Sequence, residues 1–299
     1  MPTGTPPRST LSTGLGASSG SLSEHHGSSD GILPCPLPVM AAMAARSKKV
    51  RLIVAALVAP FHDPLRLAEE IAVVDQISGG RLDIVIGAGH DPQTFEMFGV
   101  DMSQRSQLVT EMVITLRAAF SAALFKFRGR TVRVTPVPCQ TGGPAIVMGG
   151  NSEAAARRAA RIDDDFRPAL PQAWEFYRDE VQKMGRPDPG PRDGGYSSTV
   201  MLAADPEDAW KLAPYFLYEY RAHGYPPIAD ADGLRATGQF RVLSPAAYVD
   251  ELSAIEDPFL SLDLCAAGSR QIWGGGRYDS SRTRFYLNSA NGRRHEARS

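Results

Sequence analysis

The chain has 299 residues, a formal net charge of −1 and 43% hydrophobic residues. That length suits one large domain or two small ones, and the composition is that of an ordinary globular protein. The near-neutral charge gives no footing for nucleic acid or an anionic membrane as partner, and the longest apolar stretch, Leu52 to Pro60, is far too short to span a bilayer.

Residues 1–33 are mostly Ser, Gly, Thr and Pro and lack the basic start and apolar core of a signal peptide. Residues 1–23 are predicted to be disordered, with no regular structure. Pro38 to Arg46, rich in Ala and Met, predicts a short helix, and Arg51 to Ala59 a buried strand. From Asp63 to Ser78 the chain reads as a helix. Asp63 can cap it, Pro64 fits its first turn, and Leu67, Ile71, Val74 and Ile77 give an apolar face. Ser78-Gly79-Gly80 stops it, because glycine enters the left-handed region cheaply. Leu82 to Gly87 then reads as a strand buried on both faces.

Ala88 to Met102 is predicted to be a long loop. Gly87-Ala88-Gly89 looks like half a dinucleotide-binding turn, but His90-Asp91-Pro92 argues against the helix that such a turn requires. Asp101 or Ser103 can cap a long helix through about Leu124, with Leu108, Met112, Leu116 and Phe120 on one stripe. Phe125 to Val134 is a small excursion. Ala145 to Met148 is a strand, Gly149-Gly150 its turn and Ser152 to Arg161 a helix. A brief strand at Asp163 to Phe166, a helix at Ala169 to Met184 and a strand at Ser198 to Ala204 follow. A helix from Pro206 to Tyr220, a loop from Ala222 to Thr237, a helix from Pro245 to Ile255 and a strand from Phe259 to Leu264 complete the foldable part, about Pro34 to Leu264. Repeated strand–helix units of similar size predict an α/β protein, a (β/α)8 TIM barrel rather than an open sheet, with function in the loops after the strands. Residues 266–299 carry seven arginines without apolar periodicity and read as an irregular tail.

Cys35, Cys139 and Cys265 form no metal-type spacing and leave an odd thiol, which fits a reducing cytoplasm. Each is expected to be a buried free thiol. Gly149-Gly150-Asn151-Ser152, between strand and helix, is either an anion-binding turn or a plain connection. Arg105, in the first turn of a helix, gains nothing from the helix dipole and so fits an anion partner, with a solvated surface position as the alternative. Glu24-His25-His26 carries the only paired histidines, readable as a tail feature or as a general base near neutral pH. His62-Asp63 and His90-Asp91 lack zinc-type spacing, so loop and cap roles are expected.

Several of these runs together resemble the luciferase-like flavin monooxygenases. They are His62-Asp-Pro-Leu-Arg-Leu-Ala-Glu69, Asp75-Gln-Ile-Ser-Gly-Gly-Arg81, Phe98-Gly-Val-Asp-Met102 with Arg105, and Gly149-Gly-Asn-Ser-Glu153 with Arg157-Arg-Ala-Ala160. The resemblance covers residues 24–265 as a single barrel domain. It implies that His25 is the catalytic histidine, that Arg105 and Gly149, Gly150, Asn151 and Ser152 hold the cofactor phosphate, and that Ala55–Ala56 is a cis peptide beside the flavin. Ala88 stands at a cofactor position where one branch of the family has arginine.

The function implied is oxygen insertion into a small organic substrate using reduced FMN. The alternatives are hydride transfer with the deazaflavin coenzyme F420, and a truncated, non-catalytic barrel fragment. A separate flavin reductase and a homodimer are admitted by the same resemblance, and a cytoplasmic location by the cysteines. The Ser/Gly-rich beginning and the arginine-rich end depart from the family pattern. The barrel is therefore expected to lack its first strand and its last helix and to turn over weakly.

Overall fold

The computed structural model describes residues 19–27, 33–162, 165–168, 170–191, 199–222, 228–238 and 240–253. They belong to two compact units, Met1–Arg192 and Asp193–Ser299.

The first unit runs β1 (Ser19–Leu22), α1 (Pro36–Arg46), β2 (Arg51–Val58), α2 (Pro64–Ser78), β3 (Leu82–Gly87), α3 (Pro92–Phe98) and α4 (Arg105–Phe120). It continues with β4 (Phe125–Phe127), β5 (Arg130–Val132), β6 (Ala145–Gly149), α5 (Glu153–Ile162), β7 (Asp165–Arg167) and α6 (Pro171–Lys183). Strands β4 and β5 form a separate antiparallel hairpin. The other five make one parallel sheet in the order β1-β2-β3-β6-β7. Each successive strand joins the same growing edge, so the sheet has no point at which the strand order reverses, unlike a doubly wound sheet.

The helix-facing side of the central strands is aliphatic and β-branched because it is wholly covered. Leu52, Val54, Leu57, Leu82, Ile84 and Ile86 are essentially inaccessible. Against them pack Met40 and Met43 of α1, Leu67 and Ile71 of α2, and Met112 and Leu116 of α4. Asp63 accepts the Leu65 and Arg66 N–H groups at 3.0 Å and so caps α2, while Gly79 closes it at φ 68°. Arg81 clamps the end of the sheet where β2 and β3 begin. Its guanidinium donates to the carbonyls of Ala44, Ser47, Val50 and Ser78 and to Ser47 Oγ.

In the second unit β8 (Thr199–Leu202) pairs in parallel with β9 (Phe240–Leu243). Helices α7 (Pro206–Ala209), α8 (Ala213–Ala222) and α9 (Ala231–Ala236) lie between them in sequence, and α10 (Pro245–Ser253) follows. Met201, Phe216, Tyr220, Leu234 and Phe240 form its core.

Several expectations need correction. Ser19–Leu22 is not irregular: it pairs with Arg51–Val54 and covers the edge expected to stay open. Backbone pairing needs no apolar side chain, so a Ser/Gly run can supply a strand that periodicity does not flag. The supposed loop at residues 88–102 contains α3, opened by Asp91 and Pro92 as Asp63 and Pro64 open α2. The stretch read as a loop from Ala222 to Thr237 contains α9, and β9 went unread. The helix expected from Pro206 to Tyr220 is divided by a 3-10 turn at Trp210–Leu212, since Pro214 has no N–H to continue the ladder. On α2, Ile77 is exposed and Ser78 buried. On α4, Val109 is buried and Leu108 only half-buried. Cys35 and Cys139 are exposed rather than buried. Cys265, the strand expected at Phe259 to Leu264 and the tail at 266–299 lie outside the described residues.

Candidate functional site

The residues singled out in the sequence cluster where the parallel strands end. Glu24 and His25 follow β1, Ala55 and Ala56 lie in the last half of β2 with His62 beyond it, Ala88 follows β3, and Gly149 to Ser152 follow β6. The carboxyl ends of parallel strands are where α/β proteins build their sites, because successive connections converge there.

The peptide between Ala55 and Ala56 is cis, as expected, and the β2–β3 register shifts between Ala55 and Leu57. The shift frees Ala56 O from the ladder to accept the Glu24 N–H at 3.2 Å. The fit opposite is tight: a Cβ on Gly87 would stand 3.0 Å from Ala56 Cβ. Ala88 is half-buried against the core.

Glu24 is the best-anchored polar group in this region. Its side chain is inaccessible. Oε1 accepts from His26 Nε2 at 2.7 Å and His62 Nε2 at 2.9 Å, and Oε2 accepts from the Val58 N–H at 2.9 Å. Burial pushes the carboxyl up, but the His62 hydrogen bond and charge, the Val58 N–H and the His26 hydrogen bond outweigh it and hold it below its ordinary value. His26 is set edge-on to Phe61 and Phe98, with ring centroids 5.7 and 4.7 Å away. Phe61 stacks on Phe98 at 4.7 Å, so the polar cluster has an apolar wall. His25 is placed differently: its N–H donates to Leu33 O and its Nε2 lies 3.0 Å from Ser23 Oγ.

A second, basic corner forms where α4 and α5 begin. Arg158 Nη2 donates to Ser106 Oγ at 2.6 Å, which ties the second turn of α5 to the first turn of α4. Burial, and then the charge of Arg105, push the Arg158 guanidinium below its ordinary value. Arg105 donates to Met102 O at 3.1 Å. Among the described residues no carboxylate pairs with either arginine, whereas the neighbouring Arg157 is held by Glu153, Asp179 and Glu180. An open cavity of about 810 Å³ runs along α5 from Ser152 past Arg157 and Arg158 to Ile162, with Thr110 of α4 also lining it. Ser152 Oγ accepts the Ala155 N–H at 3.2 Å, capping α5. Asn151 Oδ1 accepts the Leu170 N–H at 3.1 Å and ties the turn to the segment after β7. Gly150 has φ 147°, and a Cβ there would stand 2.7 Å from Ala155 Cβ.

The sequence reading named residues in both corners, but it gave His62 only a loop or cap role, chose His25 over His26, and gave Arg158 no role. The signal for the histidines was the recurrence of imidazole just beyond the ends of two strands, β1 and β2, that turn out to be adjacent. Arg158 lay inside a quoted motif without a role.

The profile of the luciferase-like monooxygenase family matches residues 14–268. The oxygenase component of a flavin-dependent trigonelline monooxygenase from Acinetobacter baylyi is 38% identical over 96 residues, 31% of this chain and 27% of that protein. An FMNH2-dependent dimethylsulfone monooxygenase from Pseudomonas fluorescens is 31% identical over 129 residues, 41% of this chain and 35% of that protein. The chain thus aligns with less than half the length of the curated relatives it matches. The oxygenating constituent of 3,6-diketocamphane monooxygenase from Pseudomonas putida, solved with FMN, superposes with a TM-score of 0.63 at 21% identity, covering 83% of this chain and 80% of that one. The profile covers most of the chain and the superposition shows the fold: the chain belongs to the luciferase-like monooxygenases and has their α/β fold.

Proposed function

We propose that the chain is an FMN-dependent monooxygenase that acts on a small organic substrate at the carboxyl ends of its parallel strands. The observation that carries this reading is the pair Arg105 and Arg158, two neighbouring guanidinium groups that among the described residues have no carboxylate partner, with Arg158 in the same cavity as Ser152 of the glycine turn. Two uncompensated cations of this kind fit a phosphate dianion. Arg105, Arg158 and the backbone of Gly149 to Ser152 would hold the phosphate. The bound flavin would supply the redox chemistry with oxygen, while the protein positions it and excludes water. Ala55, Ala56 and Ala88 would border the flavin ring, the small side chains leaving it space. His25, His26 and His62 would move protons at the same end of the sheet.

The sequential strand order favours a closing barrel over an open sheet, since right-handed crossovers that always advance in one direction put their helices on one face. The trigonelline relative is an oxygenase component, which supports a separate source of reduced flavin.

Fluorescence titration of the purified chain with FMN and with coenzyme F420 tests the reading. We expect saturable binding of FMN, in oxidised or reduced form, and dioxygen-dependent product with an organic sulfur or carbonyl substrate. Binding of F420 alone would move the assignment to hydride transfer, and binding of neither would leave a non-catalytic barrel.

A further inference from the structure

The Glu24 cluster carries more information than its hydrogen bonds alone. An ionised carboxylate only accepts. Oε2 is engaged by the Val58 N–H, which can only donate, and both imidazoles address the same carboxylate through Nε2, at 2.7 Å from His26 and 2.9 and 3.1 Å from His62. Each ring must therefore bear its hydrogen on Nε2, and in the neutral ring the lone pair falls on Nδ1. We propose that Glu24 is a positioning residue that locks His26 and His62 in the same tautomer, so that their two Nδ1 atoms are the proton acceptors the strand ends present.

The placement suits the role. One carboxylate couples the segment after β1 to the end of β2, two residues beyond the cis peptide bond. The aromatic wall of Phe61 and Phe98 keeps the His26 ring from rotating. An imidazole that takes up a proton at Nδ1 becomes a cation, and the carboxylate already bonded to its Nε2 offsets that charge. Nothing else need move, and no bond but the N–H forms. His25, whose Nε2 faces Ser23 rather than Glu24, lies outside this lock. The histidine assigned by resemblance is thus not the one the buried carboxylate orients.

Use of these protons in turnover rests on the flavin reading; the tautomer assignment does not. The test is long-range 1H–15N correlation on the full ¹⁵N-labelled chain without flavin, at a pH where the rings are neutral. The chain has six histidines, and His26→Gln and His62→Gln each delete one spin system and so assign the pair. In the wild type both rings should show the Nε2–H pattern. In Glu24→Gln the Val58 N–H, which can only donate, draws the carboxamide oxygen to the Oε2 position, where it can still accept from His62, and leaves the N–H₂ at the Oε1 position facing His26, which must then accept. One of the two should switch to the Nδ1–H pattern and the other keep Nε2–H. An Nδ1–H pattern on either ring in the wild type overturns the proposal, as does a folded Glu24→Gln chain with both rings unchanged. If Glu24→Gln does not fold, the wild-type pattern assigned by the two histidine variants still decides. Failure of the wild type to bind FMN would sink the flavin reading while leaving these tautomers as they are.

Discussion

Arg81→Ala separates what the shared motifs do for the fold from what they do for the site. Arg81 ends one of the runs that resemble the family, yet its guanidinium lies at the end of the sheet opposite the candidate site. It donates to Ser78 O at 2.6 Å, Val50 O at 2.7 Å, Ser47 O and Oγ at 3.0 Å and Ala44 O at 3.1 Å. Ala44 and Val50 are 3% and 1% exposed, so water cannot readily replace the lost donor at their carbonyls. At ~1–3 kcal/mol for each buried acceptor left without a donor, those two carbonyls alone set a loss of roughly 2–6 kcal/mol. Urea unfolding should register it as a lower midpoint at unchanged slope. The folded fraction should bind FMN as the wild type does. A stability loss below about 1 kcal/mol, the net worth of one ordinary hydrogen bond, would refute the clamp. Weakened FMN binding by the folded protein would refute its separation from the site.

Arg105→Ala and Arg158→Ala should each weaken FMN binding by ~10- to 150-fold, the equivalent of ~1.5–3 kcal/mol for a hydrogen bond to a charged group. Their effects should be non-additive in a double-mutant cycle, because both address one anion; unchanged affinity in titration removes the residue concerned from the site. Glu24 has a folded-state value below its ordinary 4.5, so its contribution to stability is complete above that pH and is lost as the pH falls through the lowered value. Chemical denaturation across that acid window should show a shallower pH dependence in Glu24→Gln, by up to ~1.4 kcal/mol per pH unit for the one proton removed; identical slopes would show that Glu24 does not carry this titration. Gly143→Ala places a Cβ 2.2 Å from Phe120 Cδ2 at φ 91° and should lower the thermal midpoint well beyond Gly142→Ala, which shares a positive φ but meets nothing within 4 Å. Equal midpoints would mean that Phe120 yields freely.

The parts of the fold that were legible in the sequence are those where one physical signal dominates. Helix α2 shows its cap, its apolar face and its glycine stop, and β3 its uninterrupted aliphatic run, so both are bounded to within a residue or two. Helix α3 carries the same Asp-Pro opening as α2, but it is short and only Phe95 is buried from it, which leaves no face for periodicity to register. Strand β1 is defined by its partner: Ser19 to Leu22 become a strand because Arg51 to Val54 lie alongside. The candidate site divides in the same way. Arg105 and the glycine turn are visible as local exceptions to helix and turn chemistry. Sharing of one carboxylate by His26 and His62 is not, since it depends on β1 and β2 being neighbours in register, a relation between segments far apart in the chain.

The one-directional strand order has a consequence for how the chain is made. Synthesis releases β1 first and β7 last of the five, the same order in which the strands sit in the sheet. Every strand therefore emerges after the neighbour it will pair with, and none has to be inserted between two that have already joined. The longest wait falls between β3 and β6, while α3, α4 and the β4–β5 hairpin are made. For that interval the far side of β3, with Val85 and Ile86 buried in the finished protein, has no partner. A nascent chain halted there should be the one that chaperones hold longest, and one extended just past Gly149 the first to resist protease through β3.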